Sequence, residues 1–206
     1  MKRILLTIIV VAAGLAAMTP DINAQSNSRS ARYQEKMEAW HRDMAEFRAR
    51  SYHDRQMSAL ADSIASVQAR AALQNQDFVL EINNVTFKNG ATVFVTSNTN
   101  FISVKGNRAV VQISPSNFSA GPNGVGGVTV DGNITSQQIT KGKDGRIMLS
   151  MNVMGIGINA VVEIYMNQGS NQANATIYPN FNSNTVWASG TLVPYENSNV
   201  FEGMSL

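Results

Sequence analysis

The spacing of apolar residues changes period once along this 206-residue chain. From Arg29 to Leu73 there is neither Gly nor Pro, and Ala, Arg, Glu, Gln and Met dominate. Such a stretch favours helix, because good helix formers are present and the breakers are absent. Apolar residues recur at Tyr33, Met37, Trp40, Met44 and Phe47, in steps of four, three, four and three. A polar patch, Arg48–Arg55, interrupts them, and the pattern resumes with Met57, Leu60, Ile64, Val67 and Ala71. Each run lays a narrow stripe along one helix face. The two runs are out of step, so a kink or a junction of two helices is expected near Ser51–Asp54. The second run is expected to pack against the rest of the chain, since a coiled coil wants about three to four heptads. Coiled-coil pairing with another chain is the competing reading.

From Asp77 onward the period is two. Ile147, Leu149, Met151 and Val153 alternate with Arg146, Met148, Ser150 and Asn152, and similar alternation runs through Ile158–Tyr165 and Val186–Leu192. This is the pattern of strands with one buried face. Strands are predicted near 78–87, 91–96, 101–105, 108–114, 127–140, 146–154, 157–166, 171–178 and 185–193. The connections are short and rich in Gly, Asn and Lys, which makes neighbours antiparallel hairpins. The phase flips at Asn83-Asn84 and at Ser136–Gln138, where bulges are expected. The predicted fold is mainly β: an antiparallel meander of eight or nine strands, closed as a small barrel or folded as a sandwich, preceded by an N-terminal α-helical segment. Facing positions hold many small residues, among them Ala91, Ala109, Ala160, Ala173, Ala175, Ala188 and Gly190. They suit either a tight core or a hollow barrel.

The N-terminus adds a compartment. Lys2 and Arg3 precede an uncharged run, Ile4–Ala17, and Ile22-Asn23-Ala24 ends in a small residue, which is the layout of a signal peptide cleaved near Ala24. The run is shorter than the roughly 20 apolar residues a membrane span needs. The expected organisation is therefore a signal peptide over 1–24, an amphipathic helical extension over 25–76 and a β domain over 77–206. The expected location is the periplasm or the exterior, with no transmembrane segment after cleavage. There is no Cys, so a lipobox, a disulfide framework and Cys-ligated metal are excluded. Sixteen basic and 14 acidic residues give a net charge of +2. That balance argues against nucleic acid as a partner, because the basic patch that phosphate binding requires is missing. Aromatics make up 7%, too few for the girdles of a lipid-facing barrel.

Catalytic chemistry leaves little trace. His41 and His53 lie about 120° apart around a helix and cannot share a metal ion. Neither a zincin helix nor a nucleophile elbow occurs, so no catalytic residue, metal site or cofactor is assigned. Gly155-Ile-Gly157-Ile-Asn-Ala160 matches a dinucleotide fingerprint, but strand alternation continues where a phosphate-binding helix must begin. The glycines are expected to form a turn. Ala120–Gly127 reads as a wide loop. Asp131 and Asp144 stand beside Gly in turn contexts, and Glu163 should point outward from its strand. Pairing Met166 with Asn171, and pairing across Pro179–Asn184, would set Trp187 diagonal to Tyr178. Tyr178, Asn180, Phe181 and Trp187 then form a candidate ligand-binding cluster able to stack on a sugar or another flat ligand. The structural alternative is that this cluster receives the N-terminal helix.

Several longer strings carry a resemblance. Thr99–Ile113 (TNFISVKGNRAVVQI), Gly121–Gly132 (GPNGVGGVTVDG), Leu149–Ala160 (LSMNVMGIGINA), Pro179–Asn184 (PNFNSN) and Ser198–Leu206 (SNVFEGMSL) resemble an uncharacterised family of exported Bacteroidetes proteins, the domain-of-unknown-function family 4251. The resemblance covers about Phe78 to Leu206 and implies an exported β domain, with no activity or catalytic residue to carry over. Asp62-Ser63-Ile64 also resembles the acceptor for general O-glycosylation of exported proteins in that phylum, which makes Ser63 a candidate modification site. The expected function is a non-enzymatic binding or structural module of the periplasm or envelope. The alternative is a lipocalin-like carrier of a small apolar or sugar-like ligand inside the barrel. The expected partners are an unknown small ligand or an envelope protein, together with homo-oligomer formation through the N-terminal helix.

Overall fold

The computed structural model describes residues 22–114, 128–156, 159–180 and 185–202, the side chains of 22–29 and of Val128 excepted. Among the described residues there are one α-helix, α1 (Ile22–Asn75), and nine strands: β1 (Asp77–Phe87), β2 (Thr92–Phe94), β3 (Phe101–Lys105), β4 (Arg108–Ile113), β5 (Val128–Lys141), β6 (Ile147–Gly155), β7 (Asn159–Met166), β8 (Gln172–Pro179) and β9 (Val186–Pro194). Every strand falls within a few residues of its predicted place. Helical structure runs through Ser51–Asp54 without the expected interruption. The chain divides into two compact units, residues 1–55 and 56–206.

All neighbouring strands of the second unit are antiparallel, in the order β2-β1-β3-β4-β5-β6-β7-β8-β9, and β1 also pairs with β9. Eight strands therefore close a barrel, and β2 is an extra strand beside the end of β1. β1 pairs with β3 over Asp77–Glu81 and with β2 over Asn84–Thr86, while its other edge follows β9 from Phe78 to Phe87. The register shifts between Ile82 and Asn84 in β1 and between Ile134 and Ser136 in β5. The first bulge is where the phase flip put it, and the second lies at Thr135, one residue earlier. Gly155 and Asn159 end and begin strands, so the fingerprint-like segment joins strand to strand rather than strand to helix.

The interior is filled. Along one layer Leu149, Ile164, Ala175, Ala188 and Val85 stand in register across β6, β7, β8, β9 and β1, and each is buried. Alanines on β8 and β9 sit beside larger side chains on β7 and β1, so the small residues make room for neighbours and leave the barrel solid. The next layer repeats the device, with Met166, Ala173, Gly190 and Ile82 in register. A Cβ at Gly190 would strike the carbonyl oxygen of Glu81, so the bulged strand β1 can close on β9 only where the side chain is absent.

The end of α1 corks one mouth. Ser66, Ala69, Ala72 and Leu73 are buried, and the three apolar ones join the barrel's core cluster. Arg70 donates from Nη2 to the Gly145 carbonyl at 2.6 Å, in the β5–β6 turn. Gln76, at φ 58°, reverses the chain into β1, and its carbonyl accepts from Gly106 N–H at 2.8 Å. These contacts overturn the expected packing of the second stripe. Met57, Leu60, Ile64 and Val67 are exposed, on the side of the helix opposite the one that packs. Small side chains win the buried face because they let a helix backbone approach the barrel mouth closely.

A second, smaller apolar cluster lies on the outer wall: Val79, Phe101 and Val110, with Val193, Tyr195 and Val200 packed against it. The C-terminal segment straps across β3 and β4 to cover it. Gln112 Nε2 donates to the carbonyls of Thr99 and Phe201, each at 3.0 Å. Arg108 holds Asp131 through two hydrogen bonds and Glu202 through one. Asp131 is thus a mid-strand ion-pair partner, contrary to its reading as a turn residue, whereas Asp144 does cap its turn by accepting from Arg146 N–H.

Two substitutions test closure and cork. Leu73→Ala should lower unfolding free energy by about 2–5 kcal/mol, the usual cost of emptying a buried leucine site. Gly190→Ala should cost at least about 1–3 kcal/mol through overpacking at the β1–β9 seam. Urea unfolding read by circular dichroism measures both.

Candidate functional site

Because side chains alternate along each strand, every second residue of β7, β8, β9 and β1 faces away from the core. One outward row runs in register through Thr86, Trp187, Thr176, Glu163 and Ser150. A second runs through Asn84, Ser189, Asn174 and Tyr165. A third holds Tyr178, Val161 and Asn152. Glu163 is the single charged side chain in these three rows. The wall is otherwise built of amides, hydroxyls, three aromatic rings and one aliphatic side chain, Val161.

Trp187 is 44% exposed and Tyr178 40% exposed. Trp187 stands opposite Thr176, so Tyr178, two residues further along β8, is its diagonal neighbour, within reach of an aromatic side chain. The predicted hairpin register was off by two, since Met166 pairs with Ala173 rather than Asn171. A shift of two leaves each residue on its face, and the diagonal pair is set separately by the β8–β9 register, where Ile177 pairs with Val186 as expected across Pro179–Asn184. Asn180 lies at the rim, where its N–H donates to the Asn159 carbonyl at 2.9 Å. Phe181 lies outside the described residues, as does the loop Ala120–Gly127. Ser63 is exposed on α1.

The wall is pre-organised by its own hydrogen bonds. Ser189 Oγ donates to Asn84 Oδ1 at 2.7 Å, and Tyr165 donates to Glu163 Oε2 at 2.8 Å. Thr86 and Thr92 share a hydroxyl contact of 2.8 Å. Beside Trp187 a shallow depression of about 270 Å³ is lined by Asn84, Thr86, Asn174, Thr176 and Ser189. Asn152 Oδ1 is buried without a hydrogen-bond partner, an acceptor the wall leaves unused. The hydrogen bond to Glu163 raises the Tyr165 pKa above its ordinary value, with desolvation and the carboxylate charge adding in the same direction. Among the described residues no three His, Cys, Asp or Glu side chains gather to hold a metal ion. No described helix is long and apolar enough to cross a membrane.

The outward residues and their spacing were readable from alternation. The ladder that joins Thr86 of β1 to Trp187 of β9 was not, because it depends on closure of the barrel.

Comparison with known proteins adds a family. A family model described as Domain of unknown function (DUF4251) matches residues 62–192. A crystal structure of a DUF4251 family protein from Bacteroides eggerthii is 47% identical in sequence, covering 69% of this chain and 96% of its own, with a TM-score of 0.61. No curated protein matches.

The Tyr165–Glu163 contact has a pH signature. Glu163→Gln should move one tyrosine's titration down towards its ordinary range, read by ultraviolet absorbance on raising the pH. A tyrosine pKa raised in the folded state stabilises the fold fully below the unfolded value near 10, and that contribution is lost as pH rises through the folded value. The wild type should therefore lose stability more steeply than Glu163→Gln above about pH 10.

Proposed function

The chain belongs to the DUF4251 family, and from that premise we propose that it is an exported, non-enzymatic binding module whose ligand face is the outer wall around Trp187. The observation that carries this reading is an indole held half-exposed, between two threonines in register, on a wall of hydrogen-bonding groups whose single charge is Glu163. A surface tryptophan with Tyr178 beside it offers apolar faces for ring stacking. Asn84, Asn174, Thr176 and Ser189 offer donors and acceptors around it. That combination suits a saccharide, whose C–H face stacks on an aromatic ring and whose hydroxyls bond to amides. It suits a phosphorylated ligand poorly, because the wall has no cation and carries Glu163.

The lipocalin-like alternative loses its support. Val162 and Ile164 are fully buried, and Ala160 and Leu149 are 1% exposed. Interior side chains so enclosed border no space for a ligand. Export is supported by Lys2-Arg3, the uncharged run Ile4–Ala17 and the small residue Ala24. The helical extension is assigned as an association element, on the strength of its exposed apolar stripe. Ser63, exposed on that helix, is assigned as a glycan acceptor, so intact mass of protein from the native envelope should show an added glycan together with Gln25 as the first residue.

The chain has two tryptophans, so Trp40→Phe in a protein beginning at Gln25 leaves Trp187 as the sole indole reporter. Titration with cellotetraose, maltotetraose, mannotetraose and chitotetraose should give saturable change of its fluorescence with at least one of them. In the Trp40-containing protein, Trp187→Ala should weaken that binding by about tenfold, read by calorimetry, the scale of one stacking contact. Its stability should change little, since the residue is at the surface. Undiminished affinity in Trp187→Ala, or no binding to any of the four sugars, would reject the proposal.

A further inference from the structure

We propose that the N-terminal helix joins two copies of this chain as a parallel, in-register coiled coil over Tyr33–Arg50, an inference that rests on the extension being an association element. Tyr33, Trp40 and Phe47 are 67%, 52% and 61% exposed, and Met37 is exposed as well. Their four-three spacing is that of the core seam of a heptad repeat, with Met37 and Met44 at the first core position and Tyr33, Trp40 and Phe47 at the second. A row of large apolar side chains left in water on one helix face marks an interaction surface.

The flanking charges choose the partner and its direction. Positions beside the seam hold Lys36, Asp43 and Arg50 on one side and Gln34, His41 and Arg48 on the other. In a parallel pair, each residue of the first set faces the second-set residue five places further along the partner helix. Asp43 then meets Arg48 of the other copy, twice over by symmetry, and Lys36 meets His41. Turning one helix round, with full overlap of the stripe, layers Met37 against Phe47 and Trp40 against Met44. That arrangement sets Asp43 against Asp43 and Lys36 against Arg50. Like charges facing each other penalise it, so charge complementarity favours a second copy running parallel. Glu46 and Arg50 already pair along the same helix at 4.0 Å, on the flank that also carries Asp43.

The absence of cysteine makes the test clean. In the chain beginning at Gln25, Met37→Cys should oxidise to a covalent dimer, because in a parallel pair the two copies of residue 37 face each other. Sedimentation equilibrium should show a dimer for the wild type. Asp43→Arg should weaken dimerisation by about tenfold, since two ion pairs become two repulsions. The swap Asp43→Arg with Arg48→Asp should restore it to within about threefold. Circular dichroism confirms that helix content is retained. Cross-linking only when Met37→Cys is mixed with Phe47→Cys would show an antiparallel pair and overturn the inference, while leaving helix association intact. A trimer or larger assembly would do the same. A monomer at about 100 μM would overturn both, and helix-dependent binding of such a monomer to anionic phosphatidylglycerol vesicles would identify a membrane surface in place of the second copy.

Discussion

Closure of the sheet through β1 and β9 is the constraint on which the rest of the molecule depends. β1 must serve three neighbours: β3 along its first half, β2 along its second, and β9 along nearly its whole length. A strand that changes partner midway has to bend, and the bulge between Ile82 and Asn84 supplies the bend. The bend drives the backbone of Glu81 and Ile82 against β9, where Gly190 leaves space. Bulge and glycine are therefore one device, and closure removes the exposed edges that an open eight-stranded sheet would present. Closure also sets parity. With β1 pinned to β9, Thr86 must face Trp187 and Val85 must face Ala188, so the composition of the wall and that of the core are fixed together.

Most of this was legible because strands report their buried face directly. Alternation located all nine strands, and the loss of phase at Asn83-Asn84 marked the bulge that closure requires. Even the two-residue error at the β7–β8 turn cost nothing on the wall, since a slip of two conserves facing. The helix was harder, for a physical reason. Hydrophobic periodicity finds large apolar side chains, whereas a cork in a barrel mouth needs small ones that let the backbone come near. Ser66, Ala69 and Ala72 give almost no amphipathic signal, and the louder stripe at Met57, Leu60, Ile64 and Val67 points the other way. Asp131 was misread by the same kind of shortcut. Gly132 beside it suggested a turn, yet a Cβ at Gly132 would meet the Met154 carbonyl, so that glycine serves close strand approach. The C-terminal strap leaves no local pattern, because Gln112 and Glu202 find their partners across 89 and 94 residues respectively.

A filled interior changes where function can reside. In a hollow barrel the inward residues are answerable to both stability and ligand, and a change to one disturbs the other. Here the layers around Ala175 and Ala188 are complete, and the cork from α1 seals one mouth with residues of the same core cluster. The inward half of every strand is committed to packing, which leaves the outward half free of that duty. Trp187 illustrates the separation: its chain neighbours Val186 and Ala188 pack inward, while the indole stands between threonines and is half-exposed. A large aromatic ring placed there adds little to the core and exposes apolar surface, a cost that a wall evolved only for solubility would avoid. The same reasoning applies to the stripe along the first unit's helix, where Tyr33, Trp40 and Phe47 stay in water although lysine or glutamate would serve an isolated helix better. Both features are expensive for the isolated chain and would become favourable once covered, in the proposed reading the first by a ring with a polar rim and the second by a surface that repeats its own spacing.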